Sequence, residues 1–337
     1  MKKFRFFSIL VPLIGAATAV RAATDPNALV VTASNTASNQ LLVYNPGGQL
    51  IQTVPTQGAG GASGNAGGIA ATGNLIAVVN AGSLFVSIFE RMYGNFQFIQ
   101  PVPTVTNPVS VAFSANHLYI LGTTEVESHQ MFGAFVSYMP DGVATLLKAD
   151  GSAAQVGVMT NQLVISEKSN TIETVNLLPG GAVTGSPTLV QNIPANVNAP
   201  FGLVTSGDEA YVTIAHANEI SLVRNGSVLT VTGSGTQSAP CWLTLVGPFL
   251  FSSNSPSMSI SRYAVYGQKI IQDAAVAATL NGNPTDIASG AGMVAVIDGS
   301  GQLSHLSIFS VDDDGNLTLL QAADVINSAA NGVAIVP

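Results

Sequence analysis

Three residues with the chemistry of proton transfer follow two apolar segments of the chain. Glu167 and Lys168 come directly after one segment, and His216 occupies the matching place in the next. A carboxylate or an imidazole can transfer a proton, and an ammonium can hold a carbonyl or carboxylate oxygen. These three residues are therefore candidate catalytic residues for a reaction at a carbonyl or carboxylate compound. The alternative is a polar surface, where ion pairs contribute little to stability and a loop histidine is solvated.

A second set of residues could bind the substrate of such a reaction. Trp242, the single tryptophan, could form an apolar wall, although packing in the core is the competing interpretation. Asn80 and Asp298 follow apolar segments at the same place as Glu167, and Gln155 and Asp286 stand near the start of their repeats. We expect Trp242 and Asp298 to converge with Glu167, Lys168 and His216 on one centre, with Gln155 and Asp286 in a second ring close by; the alternative is that all of these are ordinary loop and packing residues.

Other motifs give weaker signals. Glu125, Glu127 and His129 could share one side of a strand and bind a metal, but only if that segment is regular. The acidic run 312–316 lacks the spaced ligands and closing glutamate of a calcium loop, so a solvated turn is preferred. The glycine-rich segment 58–68 joins two strands and is interpreted as a flexible link between repeats. The reaction outlined above needs no metal and no cofactor.

The elements that must position these side chains form an internal repeat. Units containing a short apolar strand, a turn and a second apolar strand start near residues 66, 107, 153, 199, 239 and 283. The spacing of 40–46 residues is that of a four-stranded propeller blade. Hairpin turns such as Asn225-Gly226 separate the later strands of the units, and long helical periodicity is absent.

The two ends of the chain together supply one more blade. Residues 331–337 form an innermost strand without a blade after it, and residues 28–54 contain three strands without an innermost one. The sequence therefore predicts an all-β fold: a seven-bladed β-propeller of four-stranded antiparallel blades, closed when the C-terminal strand joins the N-terminal blade. A six-bladed ring would require one of the weaker repeats to be spurious.

The amino terminus has the pattern of a secretory signal peptide over residues 1–22, followed by a single propeller domain over 23–337. The alternative is a tether formed by an uncleaved signal. We expect a secreted protein, extracellular, on the cell surface or, in a bacterium, periplasmic. Asn225 and Asn316 then become candidate glycosylation sites.

Charge and cysteine content limit the partners. Without residues 1–22 the chain keeps six basic residues against 18 acidic ones, a formal charge of −12. Such a surface repels nucleic acid and anionic membranes. No stable membrane insertion is expected, and the single Cys241 excludes an internal disulfide. A monomer is expected, with a small molecule or another extracellular ligand as partner.

Several motifs resemble one known family. The segments 164–172, 200–202, 239–242, 308–320 and 331–334 are similar, in order, to blade motifs of the lactonase-like seven-bladed propellers. This family includes 6-phosphogluconolactonase, 3-carboxymuconate cyclase and many secreted members of unsettled function. The resemblance covers the whole chain after residue 22 and is closest to the secreted branch.

The resemblance implies a fold and, as one option, a lactonase or cyclase activity at the channel mouth. Both named enzymes act on anionic substrates, which require cations, and only Lys168 of the six remaining basic residues is placed at the mouth. We therefore expect an extracellular binding or surface protein, adhesin-like and without assured catalysis. The alternatives are a lactone-hydrolysing or lactonising enzyme and, less in keeping with the few aromatic residues, a carbohydrate-binding propeller.

Overall fold

Seven antiparallel sheets form a closed ring in the computed structural model, which describes residues 24–191, 199–301, 303–325 and 329–337. The seven-bladed, all-β prediction is confirmed. The only helices in these ranges are two short 3₁₀ turns, Ala81–Ser83 and Ala215–Ala217. No helix in the described ranges is long and apolar enough to cross a membrane. The predicted signal peptide, residues 1–22, lies outside the described residues.

The strands follow one another outwards from the channel within each blade. Blade 1 contains β1 (Leu29–Ala33), β2 (Gln40–Tyr44) and β3 (Leu50–Pro55). Blade 2 contains β4 (Ile69–Thr72), β5 (Leu75–Asn80), β6 (Phe85–Met92) and β7 (Asn95–Pro103). Blade 3 contains β8 (Pro108–Phe113), β9 (His117–Gly122), β10 (Glu125–Phe132) and an outer position divided between β11 (Phe135–Val136) and β12 (Gly142–Thr145).

The remaining blades keep the same order. Blade 4 contains β13 (Ala153–Val158), β14 (Gln162–Glu167), β15 (Thr171–Leu177) and β16 (Val183–Leu189). Blade 5 contains β17 (Pro200–Ser206), β18 (Glu209–Ile214), β19 (Glu219–Arg224) and β20 (Ser227–Gly233). Blade 6 contains β21 (Pro240–Val246), β22 (Phe249–Asn254), β23 (Ser259–Tyr266) and β24 (Lys269–Thr279). Blade 7 contains β25 (Asn283–Gly290), β26 (Met293–Gly299), β27 (Ser304–Val311) and β28 (Leu317–Val325).

The last strand, β29 (Asn331–Val336), closes the ring as the innermost strand of blade 1. It pairs antiparallel with β1, with Leu29 opposite Val336, and the hydroxyl of Thr32 donates to the main-chain oxygen of Gly332 at 2.7 Å. Closure pairs the two ends of the chain and removes the open edge that an unclosed sheet would expose.

The core lies between neighbouring blades. Tyr211 and Leu222 of blade 5, for example, pack with Leu243 and Tyr263 of blade 6. Alternation along each strand directs apolar side chains to the adjacent blade on either side, which is why the strands are apolar on both faces. Near the channel the inner strands approach closely, and a Cβ at Gly202 would overlap the main-chain oxygen of Cys241.

Candidate ligand-binding site at the channel mouth

A bulge at the start of the inner strands directs side chains into the mouth of the channel. The register shifts immediately before Ser110, Gln155, Trp242 and Asp286, and blade 5 shifts at the same place. A bulge inserts one residue into a strand and changes the direction of its side chains. These residues therefore form one ring, here called the mouth ring, at the face where the loops between blades lie.

The glycine-rich segment Ala59–Gly67, here called the plug, covers the mouth and is not a free link between blades. Its first anchor is Asn35, whose Oδ1 accepts hydrogen bonds from the main-chain N–H groups of Gly61 and Ala62 at 2.7 and 3.0 Å. The Nδ2 of Asn35 donates in return to the main-chain oxygen of Ala62 at 2.8 Å. This reciprocal arrangement fixes the middle of the plug to blade 1.

The end of the plug is held by more distant blades. Asn65 donates from Nδ2 to the main-chain oxygen of Val109 at 2.6 Å, and its Oδ1 accepts from Asn331 at 3.1 Å. The indole N–H of Trp242 donates to the main-chain oxygen of Asn65 at 3.1 Å, and the N–H of Ala66 donates to the oxygen of Ala154. Since these partners belong to blades 3, 1, 6 and 4, the plug crosses the mouth.

Lys168 also holds the plug. Its Nζ donates to the main-chain oxygens of Gly64 at 2.6 Å and Ala153 at 3.3 Å, and it lies 5.9 Å from the centre of the Phe201 ring. Burial lowers the pKa of Lys168, and Asp150 opposes this effect. The structure thus brings two of the predicted site residues, Lys168 and Trp242, to the same segment of the mouth.

An open pocket of about 400 Å³ remains on the upper side of the plug, here called the upper pocket. Phe201 and Trp242 form one wall, with their rings edge to face and centroids 5.3 Å apart. The other lining residues are Asn35, Ala62, Ser63, Gly64, Asn65, Ser255, Asn283, Pro284, Thr285, Ala329, Ala330 and Asn331. No described lining residue is titratable, so the pocket presents apolar rings and neutral hydrogen-bonding groups.

Asp286 and Gln155 lie beneath the plug. The carboxylate of Asp286 accepts from the main-chain N–H groups of Ile287 at 2.9 Å and Val333 at 3.2 Å. Burial raises the pKa of Asp286 to about 7 despite these bonds and a contribution from the N–H of Gly67. Gln155 accepts from the N–H of Leu203 at 2.6 Å. Both line the channel under the plug, and neither lines the upper pocket.

Glu167 faces the neighbouring blade. It has no exposed surface and shares its side of blade 4 with Glu173. Burial raises the pKa of Glu167 to about 7, and the Glu173 carboxylate adds to the rise. The main-chain N–H of Lys148 lowers the pKa of Glu167 by part of this rise, although neither carboxylate oxygen of Glu167 has a hydrogen-bond partner among the described residues. Burial also raises the pKa of Glu173 to about 7, and Glu173 accepts from the N–H of Leu147 at 2.9 Å.

Asp298 of blade 7 and Asn80 of blade 2 do not line the upper pocket either. Asp298 has no exposed surface and is bound to Nδ1 of His305 at 2.7 Å. Asn80 is buried and accepts from Thr56 at 2.6 Å while donating to Ser87 at 2.7 Å. Since these bonds satisfy Asn80, it holds the blades together and does not face the upper pocket.

His216 lies in the second 3₁₀ turn and is exposed, but it does not line the upper pocket. The structure does not gather Glu167, Lys168, His216, Asp298 and Trp242 around the upper pocket. Of these residues, Lys168 and Trp242 bind the same segment, the plug. For Glu167 the physical reason is strand parity, since it is two and four residues from the core residues Ile165 and Leu163 and shares their side.

The acidic and histidine side chains of blade 3 form separate pairs. Nε2 of His129 lies 3.1 Å from Glu127, and Nε2 of His117 lies 2.8 Å from Asp141. Among the described residues no three histidine, cysteine or acidic side chains group as metal ligands. None of the four paired residues lines the upper pocket.

Sequence reasoning missed Asn35, Asn65 and Asn331, the three asparagines that anchor the plug. Their partners lie between 26 and 266 positions away in the chain, so local pattern could not reveal them. One local signal exists: Asn35 follows an apolar segment of the first blade, as Asn80 does in the second. Its positive φ of 56° is a conformation that asparagine tolerates better than most residues.

Comparison with solved structures decides the fold type. The periplasmic gluconolactonase of Pseudomonas aeruginosa superposes with a TM-score of 0.66 at 16% identity, covering 92% of this chain and 98% of that one. A Bacteroides uniformis protein provisionally assigned as a 6-phosphogluconolactonase gives 0.65 at 14% identity, covering 92% and 99%. This chain has the lactonase-like propeller fold.

A third structure, a Lactobacillus plantarum protein, gives a TM-score of 0.66 at 14% identity and covers 92% of this chain and 99% of its own. No protein-family model matches the sequence, and no curated protein matches it significantly. At these identities the lactonase-like propeller fold is shared, and the chemistry has to be argued from the site itself.

Proposed function

We propose that the protein is a ligand-binding propeller that holds a small uncharged ring compound in the upper pocket. The observation that carries the proposal is the neutral lining of that pocket among the described residues. General acid–base catalysis needs a titratable group within hydrogen-bond reach of the reacting atom. Aromatic walls with a few amide and hydroxyl groups instead favour recognition of a flat, partly polar ligand.

The place of action is part of the same proposal. The amino-terminal pattern of residues 1–22 supports export, and the low charged fraction of 8% suits a binding protein outside the cytoplasm. Without residues 1–22 the chain has an excess of acidic residues. This excess supports an uncharged ligand, because a phosphorylated or carboxylated ligand would be repelled over most of the surface.

Trp242 provides a direct test because it is the single tryptophan of the chain and lines the pocket. Titration with glucono-1,5-lactone, an uncharged ring lactone, should change its fluorescence in a saturable way. The 6-phosphorylated lactone should bind more weakly, and neither lactone should be consumed faster than in buffer. No saturable change with the uncharged lactone would contradict the proposal for this compound class.

Asn283 offers a variant that leaves the fold alone. It lines the pocket, is exposed, and makes no side-chain hydrogen bond to another described residue. Asn283→Ala should weaken binding by about fivefold, the worth of about one hydrogen bond. Asn281→Ala is the matched control, because Asn281 is an exposed asparagine of the same region that does not line the pocket.

Lactone hydrolysis is the second candidate, and one observation favours it. The amine of Lys168 reaches the edge of the pocket through Gly64, and burial lowers its pKa, which favours the neutral amine that a general base requires. In that case lactone consumption in wild-type protein would exceed the buffer rate, and Lys168→Met would reduce it by about a hundredfold. Saturable binding without consumption would decide for the binding protein.

A further inference from the structure

The channel below the plug is a separate cavity of about 430 Å³, within the range of small-molecule sites. Its walls are the seven inner strands β4, β8, β13, β17, β21, β25 and β29. Gly67 of the plug closes the upper end. At the other end Phe113, Val158, Thr205 and Ser289 are half-buried, so solvent reaches the channel from the face opposite the plug.

The closed end has unused hydrogen-bonding capacity. A carboxylate offers about four acceptor sites, and three main-chain N–H groups approach Asp286. Gln155 uses its Oε1 for the N–H of Leu203, while its Nε2 has no acceptor among the described residues. One acceptor site of Asp286 and the amide donor of Gln155 therefore remain available, and both groups lie close to Gly67 at the closed end.

The walls continue this mixed character along the channel. Each inner strand pairs with one neighbour only, so its other edge presents main-chain N–H and C=O groups to the channel. Thr205, Thr244 and Ser289 add hydroxyl groups, two of which bond to each other at 2.7 Å. A ligand here meets donors and acceptors in alternation, with apolar side chains between them.

We propose that this channel is a second ligand site, independent of the upper pocket, for a small uncharged polyhydroxylated molecule. One hydroxyl donates to Asp286 and accepts from Nε2 of Gln155, and further hydroxyls bond to the strand edges. Hydroxyl groups suit the site because each one donates and accepts. An anion is disfavoured by Asp286, and a hydrocarbon would leave the strand edges without partners.

The test uses ligand-observed saturation-transfer NMR on the full chain with glucitol at millimolar concentration. Wild-type protein should transfer saturation to glucitol. Gluconate, which has the same number of carbons and a negative charge, should receive little. Absence of transfer to glucitol, or equal transfer to both compounds, would overturn the proposal without any variant being made.

Substitutions that fill the channel with larger side chains test whether glucitol binds there. Ala112→Phe adds bulk at a residue that lines the channel from β8 and should reduce the transfer about tenfold, and Ala288→Leu in β25 serves if the first variant does not melt cooperatively. Asn283→Ala, in the upper pocket, should leave it unchanged. Transfer that survives a folded channel-filling variant, or that disappears in Asn283→Ala, assigns glucitol to another place and refutes the channel site.

Discussion

The indole N–H of Trp242 donates a hydrogen bond of 3.1 Å to the main-chain oxygen of Asn65, a residue 177 positions earlier in the chain. The bond joins the inner strand of blade 6 to the plug that leaves blade 1. It makes the tryptophan both a wall of the upper pocket and a support of the segment that closes the channel.

Removing the Asn65 side chain should loosen the plug. Asn65→Ala deprives the main-chain oxygen of Val109 and the amide of Asn331 of their partners, and each buried group left unsatisfied costs about 1–3 kcal/mol. We expect a lower midpoint in chemical unfolding and a red shift of Trp242 emission. Ser63→Ala, at an exposed plug residue, should change neither. An unshifted spectrum in a destabilised Asn65→Ala would mean that the plug stays in place without this anchor.

The carboxyl pair of blade 4 should make stability depend on pH. Glu167 and Glu173 have folded pKa values of about 7 against 4.5 for the free side chain, so the folded state binds more protons between those values. The free energy of unfolding must therefore fall as the pH rises from about 4.5 to about 7. Glu173→Gln should raise it at pH 8 by on the order of 1–3 kcal/mol, with less change at pH 4.5.

Urea titrations at several pH values measure this difference. The control is Asp313→Asn, which removes an exposed carboxylate from the turn of blade 7. If Glu173→Gln and the parent protein showed parallel pH profiles, the buried pair would not be the source of the dependence.

Ring closure should depend on β29. Deletion of residues 331–337 removes the partner of β1 and leaves Thr32 without its acceptor, Gly332. The truncated protein should lose its single cooperative unfolding transition and bind dyes that recognise exposed apolar surface. Removal of Pro337 alone keeps the whole strand and should preserve cooperativity. A deletion variant that melts like the complete chain would refute the closing role of this strand.

The two candidate glycosylation sites should differ in occupancy. Asn225 is exposed in a hairpin turn with a φ of 51°. Asn316 is exposed too, but its Nδ2, the atom that carries a glycan, donates to Asp312 at 3.0 Å, and its Oδ1 accepts from Arg262. When the chain passes through a glycosylating secretory pathway, peptide mapping should find higher occupancy at Asn225. Asp312→Ala should raise occupancy at Asn316; equal occupancy before and after would contradict this explanation.

The sequence was sufficient for the architecture because each blade repeats a local pattern. The predicted unit starts lie within three residues of the inner strands, and the N- and C-terminal strands pair as expected. The mouth was harder to predict. The plug is glycine-rich and has no periodicity, and its structure depends on partners from distant blades, so its sequence alone predicts only a flexible link.

Glu167 shows a different kind of error. Its position at the end of a strand suggested a mouth residue, whereas its parity with Leu163 and Ile165 already placed it on the side that packs against blade 3. The alternation of side chains along the strand can be seen in the sequence. It is a better guide to where a side chain points than the position of the residue at the end of the strand. The pairing of Glu167 with Glu173, by contrast, required the register between β14 and β15.

The plug turns what would be a tube into a cup. Molecules in a tube can enter at one end and leave at the other, whereas in a cup entry and departure share one opening and succeed one another. Any occupant of the channel must therefore retrace its path past Phe113 and Ser289. Crowding at that rim would slow arrival and departure alike and leave the equilibrium occupancy unchanged.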